Sequence, residues 1–517
     1  MTDVPSGCSR VLGVTIRVPT IDRPPSHFCP VLWAIIGCLL PLLTGCKQRE
    51  APTPAALNQT EEPAVTGPTP NIVFVLIDTL RADHLGIHGC PGGHTPHLDA
   101  IAAEGVIFER AIAQSPWTQP SVASLFCSRY PSVHKVLDYR QAVKGVVTGG
   151  EKVAVFDDAF PTLAESLRNR GYATAAFVAN PFVVREFGFA QGFEHFDASF
   201  AKNTTPGHVV NDAAVAWLQQ RTGDQPFFVY LHYMDPHGPY EAAPEFLEPL
   251  LDQVERMPNK RVLTDEEFEK LDWLRTPPEL YKDLDRHRRL VRFQEYWAAR
   301  YAAGVRQADH YLGELRSRLV EMNLWDDTYV IITADHGEAL CEHGFWDHGW
   351  SLYQTDLHVP MILRWPGVLP AGMRVPQTVQ LIDLMPTLLE QLQLPPPPGL
   401  QGTSLRACLA GEPPSAAAIA FAEGVKQGLE QKAVYVGPWK LIKTEVIDRV
   451  QLYDIAEDPL EQNDLARKRP PPLKLLLGVL EEQVALNARA AGGFEAQHVR
   501  LTPEQRERLE SLGYIGR

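Results

Sequence analysis

Beyond residue 70 the chain alternates short runs that are apolar at nearly every position with longer stretches whose apolar residues recur at helical spacing. The runs are NIVFVLID, ATAAFVAN, PFFVYLHYMD and TYVIITAD. Each is too short for a core helix and too continuously apolar for a strand with one wet face. FPTLAESLRNRGY precedes the second run and RQADHYLGELRSRLVEMN the fourth; both are amphipathic, and Gly171 stops the first. Strands buried on both faces and alternating with helices predict an α/β fold, a doubly wound and mostly parallel sheet.

Two departures from this rhythm set the domain plan. Residues 241–295 form a charged, Leu/Glu/Arg-rich insertion just after DPHGPY. It reads either as a solvated helical excursion or as a substrate-selecting lid at the site mouth. After LPPPPGLQGTSL, the segments AVYVGPWKLIK and VQLYDI read as short strands and PLKLLLGVLEEQVALNARA as a helix. Residues 411–517 are therefore expected to form a small antiparallel sheet with a packed helix and an amphipathic tail helix docked on the main domain. The catalytic domain would span 71–410.

The N-terminus is compositionally distinct. FCPVLWAIIGCLLPLLTGC is apolar over about eighteen residues and carries two prolines, which is marginal against the ~20 that a spanning helix needs. It suits a signal-peptide core, with an uncleaved anchor helix as the other reading. LLTGC resembles a bacterial lipobox, which implies cleavage before Cys46, its lipidation, and an exported, membrane-tethered protein on the periplasmic or cell-surface side. Residues 47–70, rich in Pro, Thr and Ala, would be a flexible stalk. A net charge of −15 argues against a nucleic-acid partner, since no basic field would offset phosphate repulsion. Outside the leader, Cys90, Cys127, Cys341 and Cys408 are too scattered for a cysteine zinc site.

The chemistry lies where the apolar runs stop. Asp78 closes the first, His232, Asp235 and His237 cluster at the end of the third, and Asp335 with His336 close the fourth. Ligands of doubly wound sheets bind at the carboxyl ends of the strands. Carboxylates and imidazoles converging there without paired thiolates point to a divalent-metal site for oxyanion chemistry. In SPWTQPSVASLF, Thr118 opens a helix and reads as an N-cap or as a nucleophile at the helix's positive end. His134, Lys135 and His348 are further candidates, as anion contacts or proton donors.

NIVFVLIDTLRADHLG, SPWTQPSVASLF, FGFAQGFEHFD, FFVYLHYMDPHGPY, TADHGEALCEHGFWDHGWSLYQ, HVPMILRWPGV, LIDLMPTLLEQL and LYDIAEDPLEQNDLA stand in the order that the sulfatase family, within the alkaline phosphatase superfamily, places its motifs. The chain resembles that family from residue 71 onward. The resemblance implies that Asp78, Asp335 and His336 hold one divalent metal, which also coordinates and activates Thr118 as the nucleophile, and that His134, His232, His237 and His348 line the substrate pocket, with His348 or His237 protonating the leaving oxygen; Lys135 is a further candidate substrate contact. His348 stands where many sulfatases carry a lysine.

The chain also departs from the sulfatase pattern. Sulfatases mature a Cys or Ser within Cys-x-Pro-x-Arg to formylglycine, whereas here Thr118, Pro120 and Val122 occupy those places. A threonine gives no aldehyde by that oxidation. Asp78 is followed by Thr79 rather than by a second aspartate, and Asp335 by His336 rather than by Asn. This set resembles the manganese or zinc site of phosphoethanolamine transferases and lipoteichoic acid synthase, and imidazole favours those ions over calcium, the remaining candidate. The expected activity is hydrolysis of sulfuric or phosphoric-type esters, tilted toward phosphate or phosphonate, on a small-molecule, glycan- or lipid-linked anionic substrate. The alternatives are an envelope phosphoryl-headgroup transferase and a catalytically silent binding protein.

Overall fold

The computed structural model describes residues 69–511 except 92, 138–140, 144–145, 149–151, 202–204, 272–282 and 413–417. Residues 65–517 make one compact unit. The leader, Cys46 and almost all of the stalk lie outside the described residues.

The central sheet has eight strands: β1 (Asn71–Ile77), β2 (Val106–Ile112), β3 (Ala173–Val178), β4 (His195–Asp197), β5 (Phe227–Tyr233), β6 (Thr328–Thr333), β7 (His358–Arg364) and β8 (Met373–Gln380). Their order is β8-β2-β7-β6-β1-β5-β3-β4. All neighbours pair in parallel except β7, which runs antiparallel to β2 and β6. The four apolar runs are β1, β3, β5 and β6, at the middle and on one flank of the sheet. Every residue of β3, β5 and β6 is buried, as helices on both faces require.

Register explains where the site forms. Leu76 on β1 pairs with His232 on β5 and with Thr333 on β6, so the three strands end level. Asp78 N donates to Tyr233 O (3.0 Å), locking the first residue beyond β1 to its neighbour. The residues that follow each strand are thereby delivered to one edge.

Helix α1 (Thr118–Cys127) is buried along its whole length beneath that edge. The insertion contributes α2 (Pro244–Arg256), whose Leu250, Leu251 and Val254 face inward, and a short helix, Leu284–Leu290. Arg286 ties the two together through Glu248 (2.5 Å) and Asp252 (2.6 Å). A cavity of about 350 Å³ lies against this insertion, lined by Tyr240, Leu247, Arg286 and Arg300 among others. The following helix, α3 (Gln294–Glu321), begins well before the periodic stretch from Arg306, because Tyr296, Trp297 and Tyr301 extend its buried face.

A four-stranded antiparallel sheet follows: β9 (Ile419–Glu423), β10 (Gln431–Val436), β11 (Trp439–Thr444) and β12 (Arg449–Asp454). Helix α4 (Pro471–Ala491) covers it, with Leu476 and Leu480 packed on Val434, Leu441 and Leu452. The tail helix, Pro503–Ser511, forms, but its residues through Glu507 are mostly exposed. The remainder of the tail, on which the expected docking rests, lies outside the residues whose side chains are described. Among the described residues no helix is long and apolar enough to cross a membrane. Cys90, Cys127, Cys341 and Cys408 are unpaired thiols.

Candidate active site

Four side chains converge at the level strand ends. Asp335, just past β6, accepts at Oδ1 from His336 N (3.0 Å) and Thr79 N (3.4 Å), which turns Oδ2 inward. Asp78 accepts at Oδ2 from Asn180 Nδ2 (2.6 Å) and His232 Nε2 (3.0 Å), which turns Oδ1 inward. His336 donates from Nδ1 to Gly337 O (2.8 Å), so its Nε2 presents a lone pair, 3.3 Å from Asp335 Oδ2 and 3.7 Å from Asp78 Oδ1. Thr118 Oγ1 lies 3.3 Å from the same Nε2. All four residues are fully buried.

The N-cap reading of Thr118 is corrected here. Trp117 holds the cap position with extended backbone, and Thr118 is the first helical residue with its hydroxyl turned into the cluster. The first-turn amides of α1 have no intrahelical acceptor, and Pro120 brings none. Ser121 Oγ donates to Asp335 O (2.6 Å), clamping the helix start to the end of β6.

The donor set fits a divalent cation. Asp78 Oδ1 and Asp335 Oδ2 are buried carboxylate oxygens without a hydrogen-bond partner, facing one another's neighbourhood. Asp78, His232 and Asp335 can bring ligand atoms within 4.8 Å of one another. Burial pushes the Asp335 carboxyl well above its usual range and the Asp78 charge adds to this. Burial would raise Asp78 too, yet the His232 hydrogen bond and the His237 and His336 rings hold it below the ordinary carboxylate range. Two buried carboxylates cannot both ionise cheaply without a cation between them. Burial lowers His336 to about 3, leaving it neutral and competent as a nitrogen ligand. Thr79, where a second aspartate was the alternative, is no ligand here: its hydroxyl donates to Asp78 O (2.7 Å).

A second group adjoins the first. The ribbon pairing Ala339 with Asp347 folds the His348 loop over the strand ends. The His348 ring lies 4.5 Å from His336 and 5.0 Å from His237, centroid to centroid. His348 Nδ1 donates to Glu338 Oε2 (2.9 Å) and stands 2.8 Å from Asp347 Oδ1. Burial opposes the charge on His348, but Asp347 and Glu338 outweigh it and raise its pKa well above the usual value. His348 is therefore a fixed imidazolium. Tyr240, in the loop after β5, donates its hydroxyl to Glu338 and so fixes the carboxylate that fixes His348. His237 differs: burial lowers it to about 4, and its Nδ1 donates to Gly238 O (2.6 Å), leaving Nε2 as an acceptor.

Other expected site residues fall elsewhere. His134 receives Val136 N at Nδ1 (3.1 Å) and contacts Ser124 Oγ of α1 through Nε2 (3.0 Å), so both nitrogens are engaged within the protein. Lys135 sits partly exposed on a left-handed turn (φ 59°) beside it. His232 is fully buried between Tyr230 and Asp78, as support for the carboxylate rather than a substrate contact. Asp235 turns away and accepts from Gln307 Nε2 (2.7 Å) and Gly207 N (3.1 Å). Sequence reasoning missed Asn180, Glu338, Asp347 and Tyr240. Asn180 closes the second apolar run, and Glu338 stands three residues beyond Asp335.

Sheet, strand-end cluster and imidazolium together define an α/β enzyme built around an anionic ester. Residues 70–394 match the Sulfatase family model, and 341–482 match that of the N-sulphoglucosamine sulphohydrolase C-terminal region. The chain belongs to the sulfatase family of the alkaline phosphatase superfamily, and it is a hydrolase of ester bonds. It is 24% identical over 496 residues to an N-acetylglucosamine-6-O-sulfatase of Bacteroides thetaiotaomicron, covering 80% of this chain and 86% of that one. It is 28% identical over 449 residues to arylsulfatase K of Xenopus laevis (78% and 80% covered). Among solved structures, one in complex with its substrate D-glucosamine-2-N,6-O-disulfate superposes with TM-score 0.68 at 21% identity, over 81% of this chain and 98% of that chain. The phosphonate monoester hydrolase of Agrobacterium radiobacter superposes with TM-score 0.62 at 21% identity, over 84% and 100%.

Proposed function

We propose that this enzyme hydrolyses anionic phosphorus esters, phosphate or phosphonate, with Thr118 as nucleophile. One divalent ion would be held by Asp78, Thr118, Asp335 and His336, manganese or zinc in preference to calcium. The observation that carries the reading is the pair of orphaned oxygens, Asp78 Oδ1 and Asp335 Oδ2, gathered with His336 Nε2 around the Thr118 hydroxyl. When bound, the ion supplies Lewis acidity and lowers the pKa of the oxygen it touches.

The residues divide the remaining work. Thr118 Oγ1, its proton passed to solvent before the ester binds, attacks phosphorus as the bond to the leaving alcohol breaks, and the first turn of α1 supports the growing charge. His348, held as an imidazolium by Glu338 and Asp347, gives its second ring proton to the departing oxygen. Water then cleaves the phosphothreonine and releases Thr118 as the oxyanion it began as, and the proton taken from that water returns to His348, whose ring lies 5.0 Å from that of His237. His237, neutral and oriented by Gly238 O, accepts that water's proton at Nε2.

Threonine at position 118 excludes the aldehyde route of formylglycine sulfatases, and likeness to the phosphonate monoester hydrolases suits a phosphorus centre. Substrates carrying the ester on a small molecule, glycan or lipid are all compatible with an exported enzyme tethered through Cys46. The lipobox-like LLTGC also favours a second reading, transfer of a phosphoryl headgroup to an envelope acceptor. Rates on aryl phosphate, phosphodiester and aryl sulfate, measured with and without Thr118→Ala on manganese-loaded protein, test the proposal. Phosphorus turnover that disappears in the variant supports it; sulfate turnover that survives the change overturns it. A glycerol or glycan acceptor that captures the phosphoryl group in place of water would favour transfer.

A further inference from the structure

The small sheet brings Lys426 against the chain segments that flank Thr118. Beyond β9 the chain runs beside the approach to Thr118. Glu423 N donates to Gln114 O (3.0 Å), and Gly424 O accepts from Ser115 Oγ (3.1 Å) and Trp117 Nε1 (2.8 Å). Lys426 N and Gln427 N then both donate to Gly349 O (2.8 and 3.0 Å), beside His348. The segment is stapled on one side to the residue before the nucleophile and on the other to the residue after the imidazolium. A Cβ on Gly349 would come within 3.0 Å of Lys426 Cβ, so the two backbones meet as closely as a glycine allows.

The Lys426 ammonium stands 5.4 Å from the Trp117 ring centroid and 5.2 Å from that of Phe182. Trp117 is bonded to Thr118. Phe182 N donates to Asn180 Oδ1 (2.7 Å), and Asn180 Nδ2 lies 3.5 Å from Thr118 Oγ1. The charge is thus held over two rings that belong to the chain segments flanking the reacting hydroxyl. Lys426 is only 6% exposed. Ring faces favour a nearby ammonium.

We propose that Lys426 is a specificity-determining residue that pairs with a non-bridging oxygen of the bound ester. It selects dianionic phosphate monoesters over monoanionic phosphodiesters and sulfate esters. This rests on the catalytic reading above, so the test carries a binding arm that needs no turnover.

Lys426→Met and Lys426→Arg are compared with the full-length wild-type protein on an aryl phosphate and on a phosphodiester. Inorganic phosphate binding is measured by calorimetry on the same proteins. Lys426→Met is expected to lower kcat/KM on the monoester about 30-fold or more, as loss of a buried charge partner does, with a much smaller loss on the diester. Phosphate affinity falls in parallel, and Lys426→Arg restores most of both. Equal losses on the two substrates that Arg does not rescue would make Lys426 a structural staple and overturn the proposal, as would unchanged phosphate affinity. Lys426-dependent phosphate binding by a protein that turns over neither ester supports the proposal and counts against the catalytic reading alone.

Discussion

Thr118 Oγ1 stands 3.3 Å from His336 Nε2, and because His336 Nδ1 is committed to Gly337 O, the hydroxyl meets a lone pair rather than an N–H. A threonine that only began a helix would turn its oxygen toward the amides of its own first turn. Removing that oxygen is therefore expected to abolish chemistry and leave the fold intact. Thr118→Ala should lower kcat by on the order of 10³-fold or more, with the melting temperature little changed. Thr118→Ser should keep a measurable part of the rate. Steady-state kinetics and a thermal scan on the three proteins check this.

Metal content follows from the carboxylates. Asp335→Asn and Asp78→Asn should purify with far less bound manganese or zinc than wild type, read by elemental analysis after dialysis. Asn180→Ala is the subtler variant. It removes the 2.6 Å donor that turns Asp78 Oδ1 inward, and losing such a partner typically costs about 10–100-fold in metal affinity. Undiminished affinity would return Asn180 to a structural role.

The metal-competent set was legible because each member ends an apolar run or opens a helix, and register alone brings such positions together. Asp78, Asp335 and His336 needed no side-chain contact to be found. Asn180 escaped because an amide at a strand end carries no charge to mark it. Glu338 and Asp347 sit in a Gly-rich stretch where carboxylates ordinarily serve turns, and only the ribbon Ala339–Leu340 against Trp346–Asp347 reveals their common target. His134 misled for the opposite reason: proximity in sequence to the nucleophile helix says nothing about which side of it a ring packs on. The flank of the sheet was obscured in the same way. β2 carries Glu109 and Arg110 at its half-exposed middle, and β8 holds Pro376, so neither keeps a clean period.

The charge on His348 is favoured by Glu338 and Asp347 on either side of its Nδ1. His348→Lys should keep a cation in that position and retain part of the activity. His348→Ala should lose about 10²-fold or more on substrates with a poor leaving group, and much less on an activated aryl ester, because proton donation matters only for the former. Equal losses on both would contradict the role of proton donor. Tyr240→Phe strands a buried Glu338 oxygen, a change that typically costs about 1–3 kcal/mol, and should lower the melting temperature as well as the rate.

Stability should fall as pH rises through neutrality. Asp383, buried at the start of the helix Leu384–Gln391, accepts from Thr403 N and Gln380 N (2.8 Å each), yet burial dominates and pushes it up to about 7. In the unfolded chain it ionises near 4. Between about 4 and 7 the folded state thus binds the extra proton, and stability from this group is full at the acid end and lost as pH rises through 7. Melting temperatures are expected to be higher near pH 5.5 than near pH 8. Asp383→Asn should flatten that slope while lowering stability overall, since its NH₂ must oppose a backbone donor. A slope unchanged in the variant would assign the pH dependence to other groups.

On the proposed mechanism Thr118 carries the phosphoryl group between attack and hydrolysis. Manganese-loaded enzyme mixed with an aryl phosphate and acid-quenched within a turnover can be digested and its peptides weighed. The account predicts one added phosphoryl group on the peptide containing Thr118, which disappears when the quench is delayed past substrate exhaustion. Sustained turnover with that peptide unmodified at every quench time, or with the phosphoryl group on another residue, would contradict it.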